Sequence, residues 1–276
     1  MVDVSALRSK VEAFRRLHTA SAPLVMPNPW DLGSAKILAG LGFHALATTS
    51  SGMALTLGRR DYRVTRDEAL AHCQAIASAV EVPVSADLEN GFGLDPEVVQ
   101  ETIRMAAATG LAGGSIEDSS GDAQAPILDV SLAVERIAAA AEAARAAPGG
   151  FVLTARAEAL LWGSTDVDAV ITRLVAYADA GADVLYAPGL ADLGAVRKVC
   201  SAVARPVNVL LYRGLRSCSR AALGEAGAAR LSTGGRLAMD AYSSLIPFAA
   251  SAQQGPFDRT APTSASDIPQ LMALLE

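Results

Sequence analysis

Short apolar runs alternate with longer segments of helical periodicity, and the alternation repeats eight times along the chain. Each run is nearly continuous in apolar residues, which is typical of a strand buried on both faces of a parallel sheet. The pattern predicts strands at 24–28, 43–49, 82–87, 112–118, 151–156, 182–187, 206–211 and 228–234. The helices that follow them are predicted at 33–42, 66–80, 97–110, 132–147, 168–181, 193–203, 219–227 and 237–253.

Eight strand–helix units in a chain of 276 residues favour a single α/β domain over residues 1–276, folded as a (β/α)8 TIM-type barrel. A doubly wound open sheet is the alternative. The segment QQGPFDRTAPTSASD (253–267) is rich in Pro and Ser. Residues from about 254 to 276 are therefore predicted to form a C-terminal arm that packs on the barrel or on a neighbouring subunit.

Polar residues capable of chemistry follow every predicted strand. In a TIM barrel the carboxyl ends of all the strands open on one face, and this face carries the active site. We therefore expect a single site at that face. Its candidate residues are Asn28, Trp30, Ser50, Ser51, Gly52, Asp87, Glu89, Glu117, Asp118, Arg156, Glu158, Tyr186, Asn208, Ser232 and Thr233.

Composition narrows the range of partners. The net charge is −6 and no basic block occurs, which argues against nucleic acid or an anionic membrane as a partner. The N-terminal segment is charged throughout and has no apolar signal core, and no run of about eighteen apolar residues predicts a membrane span. The widely separated Cys73, Cys200 and Cys218 are expected to be reduced thiols of a cytoplasmic protein.

The scarcity of histidine and lysine excludes several mechanisms. His18 falls in an N-terminal helix, His44 at the start of the second strand and His72 within a helix, so none is expected at the catalytic face. A zinc site built on histidine is therefore not expected. No lysine follows a strand, which excludes a Schiff-base aldolase. Neither a P-loop nor a dinucleotide fingerprint stands at a strand–helix junction.

Acidic residues end the third and fourth strands, at Asp87, Glu89 and Glu117. Carboxylates clustered on a hydrated face are the ligands of a hard dication, usually Mg²⁺, with Mn²⁺ as an alternative. The other interpretation is that these acids pair with arginines or cap the helices that follow. Asp118 is predicted to cap a helix or a loop instead of binding an ion.

Arg156 ends the fifth strand after an apolar run. A buried arginine needs an anionic partner, because an unpaired buried charge is costly. Arg156 either pairs with Glu158 or Glu117, or binds a substrate carboxylate or a developing enolate; we prefer the second interpretation. The loop at 119–128 is either an ordinary surface loop or a lid over the site.

In their order and spacing, these strand ends resemble the isocitrate lyase and phosphoenolpyruvate mutase superfamily over almost the whole chain. The segment 27–61, which ends in Asp61, is similar to the N-terminal signature of that family. VSADLENGFG (84–93) resembles its metal motif, SIED (115–118) its fourth-strand motif and TARAEAL (154–160) its arginine motif. PVNVL (206–210) and ARLSTG (229–234) are similar to its later strands.

The resemblance implies a Mg²⁺-dependent enzyme that acts on small 2-oxo acids through an enolpyruvate-like oxyanion. It implies that Asp87 binds the ion directly, that Glu89 and Glu117 bind it through water, and that Asp61 lies close to it. It assigns the substrate to Arg156 and to Trp30, Ser50, Ser51, Gly52, Tyr186 and Asn208. It also implies a homo-oligomer, usually a tetramer, in which the last barrel helix (237–253) is exchanged between subunits.

The chain departs from the family pattern at three places. Glu89 replaces the second Asp of the metal motif. The K-[KR]-C-G-[HR] loop of the isocitrate-cleaving lyases is absent after Asp87, so cleavage by that route is not expected. The loop SSGDAQAPIL (119–128) lacks the Lys and Asn of the phosphonomutase gating loop, which argues against phosphorus–carbon chemistry.

The sequence therefore predicts a Mg²⁺-dependent lyase that cleaves or decarboxylates a small 2-oxo or 2-hydroxy dicarboxylic acid. Tyr186 and a water on the ion are the candidate proton donors. Phosphonomutase chemistry is the first alternative. A flavin- or phosphate-binding barrel using Gly234 and Gly235, and an inactive oligomeric binding protein, are the others.

Overall fold

The computed structural model describes residues 3–19, 21–255 and 272–275. The strands are β1 (Leu24–Met26), β2 (Leu46–Ala47), β3 (Val84–Asp87), β4 (Gly113–Glu117), β5 (Val152–Arg156), β6 (Val184–Tyr186), β7 (Val207–Leu210) and β8 (Arg230–Ser232). The helices are α1 (Val4–Leu17), α2 (Leu32–Gly40), α3 (Ser50–Thr56), α4 (Arg66–Ala79), α5 (Pro96–Ala107), α6 (Val130–Ala146), α7 (Val167–Asp179), α8 (Leu193–Ala202), α9 (Arg220–Glu225) and α10 (Arg236–Gln254).

All eight strands are parallel and lie in one sheet in the order β1-β8-β7-β6-β5-β4-β3-β2. The two ends of this order meet, because the amide of Ala47 donates to the carbonyl of Pro27 at 3.1 Å. The Asn28 side chain also spans this junction. Its Nδ2 donates to the Thr48 carbonyl at 3.0 Å, and its Oδ1 accepts from the amide of Gly234 at 2.9 Å. The predicted (β/α)8 barrel is thereby confirmed.

Local sequence signals set the helix boundaries. Thr65 and Glu68 form a capping box at the start of α4, and Asp31 and Ser34 do so at the start of α2. One element differs from the prediction, since residues 50–52 form the first turn of α3 and not a loop. Thr49 causes this, because its extended backbone and its side-chain oxygen, which accepts from the Gly52 amide, cap the helix.

Helix α1 covers the amino-terminal end of the barrel. Its residues Leu7, Val11 and Phe14 form one apolar cluster with strand residues such as Leu24 and Val152. The helix thus shields the inside of the barrel from water at the end opposite the strand carboxyl ends. His18, which follows α1, is buried and its ring points towards this interior.

Helix α10 exposes much of its apolar surface in the protomer, including Leu245 and Ile246. Of the predicted C-terminal arm, residues 256–271 and 276 lie outside the described residues. In the last described turn, the carbonyl of Leu275 accepts from Lys36 Nζ on α2 at 2.6 Å, so this part of the arm packs on the barrel. Within the described ranges, none of the helices is long and apolar enough to cross a membrane.

Candidate active site

A cavity of about 180 Å³ opens inside the barrel at the carboxyl ends of the strands. Eleven residues are assigned to the ion or the substrate by the resemblance, and seven of them line this cavity, namely Ser50, Ser51, Asp61, Asp87, Arg156, Tyr186 and Asn208. The strand-end candidates Asn28 and Ser232 line it as well. The convergence arises because parallel strands of a barrel all present their carboxyl ends to one face. The structure therefore brings these seven residues together at one cavity, and their roles there stay predictions.

Four predicted residues lie off this cavity. Trp30 lines a separate groove beneath α10, and Glu89 lines a cleft outside the cavity. Glu117 is buried behind Arg156. Gly52 packs inside α3, where an added Cβ would lie 2.9 Å from Trp30 Cβ, so its lack of a side chain serves close packing. A direct role for any of the four at the substrate stays a prediction.

Arg156 is held by three carboxylates. Its NH1 lies 2.8 Å from Asp87 Oδ1, its NH2 3.0 Å from Glu117 Oε2, and its Nε 2.9 Å from Glu158 Oε1. Burial disfavours its charge, but Glu158, Glu117 and Asp87 together raise the pKa of Arg156 well above its usual range. The ring of Tyr186 lies 5.2 Å from the guanidinium carbon. Arg156 therefore pairs with Glu117 and Glu158, as the first interpretation has it, while its binding of a substrate oxygen stays a prediction.

Asp87 is fixed from several sides. Its Oδ2 accepts from the Ser50 amide at 3.1 Å, and its own amide donates to Thr48 Oγ1 at 2.9 Å. Its Oδ1 accepts from Arg156 and, at 3.4 Å, from the Glu89 amide. A carboxylate oxygen has two lone pairs. Oδ2 accepts one of the hydrogen bonds made by the described residues and therefore retains a lone pair, and Asp87 lines the cavity.

The neighbouring acids repel one another. Burial raises the pKa of Glu89 to about 8, and the charges of Asp87 and Asp61 add to that shift. Burial, followed by the charge of Asp87, also raises the pKa of Asp61. Burial raises the pKa of Glu117 well above its ordinary value, against the favourable charge of Arg156. A cation placed among these acids would reverse these shifts.

These donors fit Mg²⁺ held largely through water. Among the described residues, no three His, Cys, Asp or Glu side chains lie close enough together to bind an ion directly. Mg²⁺ commonly keeps several waters and takes one or two carboxylates. The free lone pair of Asp87 and the mutual repulsion of Asp61, Asp87 and Glu89 match that mode.

Tyr62 is absent from the predicted site although it contacts Glu117. Its hydroxyl donates to Glu117 Oε1, and its backbone has a φ of 60°. The residue stands in the loop between α3 and α4, immediately after Asp61 and far along the chain from Glu117. Its only sequence signal was its position next to the Asp of the N-terminal signature.

Asp118 orients the loop after β5. Its Oδ1 accepts from the Glu158 amide at 2.8 Å, and its Oδ2 accepts from the Tyr177 hydroxyl at 2.7 Å and from Arg173 NH1 at 3.2 Å. Asp118 thus acts as the structural carboxylate that the sequence suggested. It places Glu158, which in turn holds Arg156.

Two histidines approach the site from behind. His72 on α4 lines a small void next to Asp87 and Glu89, and its Nε2 is buried without a hydrogen-bond partner. His18 approaches the barrel interior from the α1 side. Among the described residues, neither lines the main cavity.

Comparison with known protein families shows which family the chain belongs to. Residues 14–252 match the sequence profile of the phosphoenolpyruvate phosphomutase family. The chain belongs to the phosphoenolpyruvate phosphomutase family. The resemblance read from the strand ends is thereby confirmed, and so is the prediction of an enzyme of the lyase type from the wider isocitrate lyase superfamily.

This family member is similar to proteins with different names. A crystal structure of a protein from Burkholderia cenocepacia J2315, provisionally described as a lyase/mutase, is 48% identical, covers 97% of this chain and 98% of its own, and has a TM-score of 0.91. The 2-methylisocitrate lyase of Escherichia coli K12 is 30% identical over 73% of this chain and 70% of its own. The oxaloacetate decarboxylase of Pseudomonas aeruginosa LESB58 is 31% identical over 74% of this chain and 69% of its own.

The loop at 119–128 of this family member folds back on itself. Ser119 and Ile127 form an isolated antiparallel bridge, and the amide of Leu128 donates to the carbonyl of Asp118 at 2.9 Å. Residues 121–125 are exposed. Both interpretations of this loop, as a surface turn and as a lid, remain open.

Proposed function

We propose that the protein is a Mg²⁺-dependent lyase that cleaves a C–C bond of a small 2-oxo or 2-hydroxy dicarboxylic acid, or decarboxylates it, through a pyruvate-type enolate. The observation that carries the proposal is the joint presence of Asp61, Asp87 and Arg156 in one cavity. No Lys, His or Cys lines this cavity among the described residues. The lining thus favours electrostatic stabilisation over covalent catalysis.

The acids provide a place for the ion. Asp87 would hold it directly, and Glu89 and Glu117 would hold it through water, with Asp61 close by. When bound, Mg²⁺ would supply positive charge against the developing oxyanion. Mn²⁺, which also prefers oxygen ligands, would serve in its place.

Arg156 positions the reacting group. Three of the five N–H groups of its guanidinium are directed at Asp87, Glu117 and Glu158, which fixes the plane of the group. The remaining N–H groups are available to a substrate carboxylate or enolate oxygen. Ser50 and Ser51 also line the cavity, and their hydroxyls are further candidate donors.

Tyr186 is the candidate proton donor among the residues of the chain. Burial raises its pKa to about 12, and its hydroxyl is hydrogen-bonded to Ser232. Because the folded protein therefore keeps this hydroxyl protonated at neutral pH, Tyr186 can deliver a proton to an enolate carbon in the cavity.

Phosphonomutase chemistry is the second candidate, because the matching family takes its description from a phosphomutase. The loop at 119–128 contains neither Lys nor Asn, and this counts against it.

A substrate panel tests the two proposals. Purified protein with Mg²⁺ would be offered oxaloacetate, 2-hydroxy dicarboxylic acids and phosphonopyruvate, and products would be identified by NMR. We expect turnover of a dicarboxylic acid that is lost with a chelator and in Asp87→Asn, and that is retained in Asp168→Asn, whose carboxylate pairs with Lys198 on the surface. Undiminished turnover in excess chelator would exclude the ion.

The exposed apolar surface of α10 supports a further proposal about assembly. Ile246 is 70% exposed in the protomer, and a contiguous apolar surface usually indicates an interface. We infer that α10 packs against a second copy of the chain, through exchange between subunits, in a dimer or tetramer. A cytoplasmic location is proposed from the free cysteines.

A further inference from the structure

A second arginine lies inside the barrel and contacts no acid among the residues that the structure describes. Arg230 on β8 is 3% exposed and lines the same cavity as Arg156 and Asp87. Its Nε donates to Asn208 Oδ1 at 3.0 Å, its NH2 to Thr154 Oγ1 at 3.2 Å, and its NH1 lies 3.3 Å from His18 Nε2. Within the described residues, Arg230 takes part in none of the ion pairs.

All three partners of Arg230 are neutral. His18 Nδ1 lies 2.8 Å from the Phe14 carbonyl, which can only accept, so this nitrogen carries the proton. His18 Nε2 is then the acceptor for Arg230. Burial and the charge of Arg230 lower the pKa of His18 to about 3, so the ring adds no charge. Asn208 and Thr154 carry none either.

The two arginines of the cavity therefore differ in charge balance. Arg156 faces three carboxylates, whereas Arg230 retains a full positive charge next to the cavity. Burial lowers the pKa of Arg230 to about 10, which still leaves it protonated at neutral pH. Only three of its five N–H groups have partners in these bonds. A buried, unpaired cation of this kind destabilises the folded protein unless an anion binds to it.

We propose that Arg230 binds the second carboxylate of the substrate, the one remote from the reacting carbon. This inference rests on the proposed lyase function, and it deepens that function by naming the residue that recognises the second carboxylate of the dicarboxylic acid. One carboxylate would lie near Asp87 and Arg156 and the other at Arg230. The cavity of about 180 Å³ equals roughly six waters at about 30 Å³ each, which suits a small acid and not a nucleotide.

The neighbouring side chains complete a carboxylate site. Asn208 accepts from Arg230 through Oδ1 and donates to Ser232 Oγ through Nδ2 at 2.9 Å, which fixes its amide orientation. Ser232 lines the cavity and can donate its hydroxyl to a carboxylate oxygen. Arg230 is thus a specificity-determining residue that the strand-end pattern does not reveal.

Two ligands separate this role from a structural one. Oxalate mimics the pyruvate enolate and occupies only the end of the cavity near Asp87, whereas malate carries a further carboxymethyl group. Calorimetry with Mg²⁺ would compare both ligands in the wild type, Arg230→Met, Arg230→Lys and Thr154→Val. The last variant removes a neutral partner of Arg230 and keeps the charge. Thermal unfolding and circular dichroism would verify that each variant is folded.

We expect Arg230→Met to weaken malate binding by about tenfold or more, the usual consequence of losing a charge-assisted hydrogen bond. Oxalate binding should change far less. Arg230→Lys and Thr154→Val should retain most of the preference for malate. If Arg230→Met does not fold, the other two variants decide. The proposal is supported if the malate affinity of Arg230→Lys falls no more than its oxalate affinity. It is opposed if Thr154→Val loses malate affinity but keeps its oxalate affinity.

Several outcomes would overturn the inference. Equal losses for both ligands in Arg230→Met would make Arg230 structural, and unchanged malate binding would remove it from the site. Oxalate binding by the wild type without malate binding would exclude the second carboxylate while leaving the lyase proposal intact. Failure of the wild type to bind oxalate at all would count against the proposed function and, with it, this inference.

Discussion

Replacing Arg156 by Met tests the electrostatic arrangement of the site directly. The change keeps most of the side-chain volume and removes the cation that three carboxylates share at 2.8, 3.0 and 2.9 Å. Glu117 and Glu158 are both buried, so water cannot replace the lost partner. Breaking a buried ion pair by removing one partner costs about 3–5 kcal/mol.

Proton uptake limits that cost. Burial already raises the pKa values of Glu117 and Glu158 above the ordinary value of 4.5, and loss of Arg156 would raise them further. Protonating one carboxyl of that ordinary pKa costs about 3.4 kcal/mol at pH 7 and about 1.4 kcal/mol at pH 5.5. Carboxyl groups whose pKa is raised in the folded protein bind protons on folding. The destabilisation caused by losing Arg156 is therefore greatest above that raised pKa and declines as the pH falls below it.

We therefore expect Arg156→Met to lower the free energy of unfolding by about 3–5 kcal/mol at pH 7 and by about 1–2 kcal/mol at pH 5.5. Urea unfolding followed by circular dichroism, at fixed protein concentration and without Mg²⁺, would measure both values. Arg104→Met is the control, because its pair with Glu101 is exposed and should contribute below about 1 kcal/mol at either pH. An equal loss at the two pH values, or a loss below about 1 kcal/mol at pH 7, would refute the reasoning.

Three further changes have defined expectations. Tyr62→Phe removes the hydroxyl that donates to buried Glu117 and should cost about 1.5–3 kcal/mol in urea unfolding; no measurable change would argue against that bond. Asp118→Asn should lower the free energy of unfolding by about 3 kcal/mol and should lower kcat, because it weakens the hydrogen bond that positions the Glu158 amide. Normal turnover would show that Asp118 does not contribute to the site. If the proposed oligomer forms through α10, Ile246→Glu should lower the mass measured by light scattering while exposed Gln253→Glu should not; an unchanged mass would place the interface elsewhere.

The order of the elements was predictable because burial on both strand faces leaves a strong mark on the sequence. All eight strands and the helices between them lie within a few residues of their predicted positions. The short α3 is the exception. It depends on one cap, at Thr49, and seven residues give too little periodicity to reveal a helix.

The sequence could predict those cavity residues that stand at the carboxyl ends of strands. Asp87 and Arg156 do so, and each follows an apolar run that makes a charged side chain conspicuous. Arg230 starts β8 instead, at a position where a strand rarely buries a charge. Only its neutral partners, which come from α1, β5 and β7, show that it lies inside the barrel.

The contact between β1 and β2 has a dynamic consequence. This junction relies on one backbone bond and on Asn28, whereas β4 and β5 share five aligned residue pairs. Local opening is favoured where few bonds must break, so amide hydrogens here should exchange with solvent before those of β4. Asn28, which follows β1, and Ser50, which follows β2, both line the cavity at this junction. A ligand that contacts both residues would stabilise the junction between β1 and β2. Tighter binding should therefore go with slower amide hydrogen exchange at this junction.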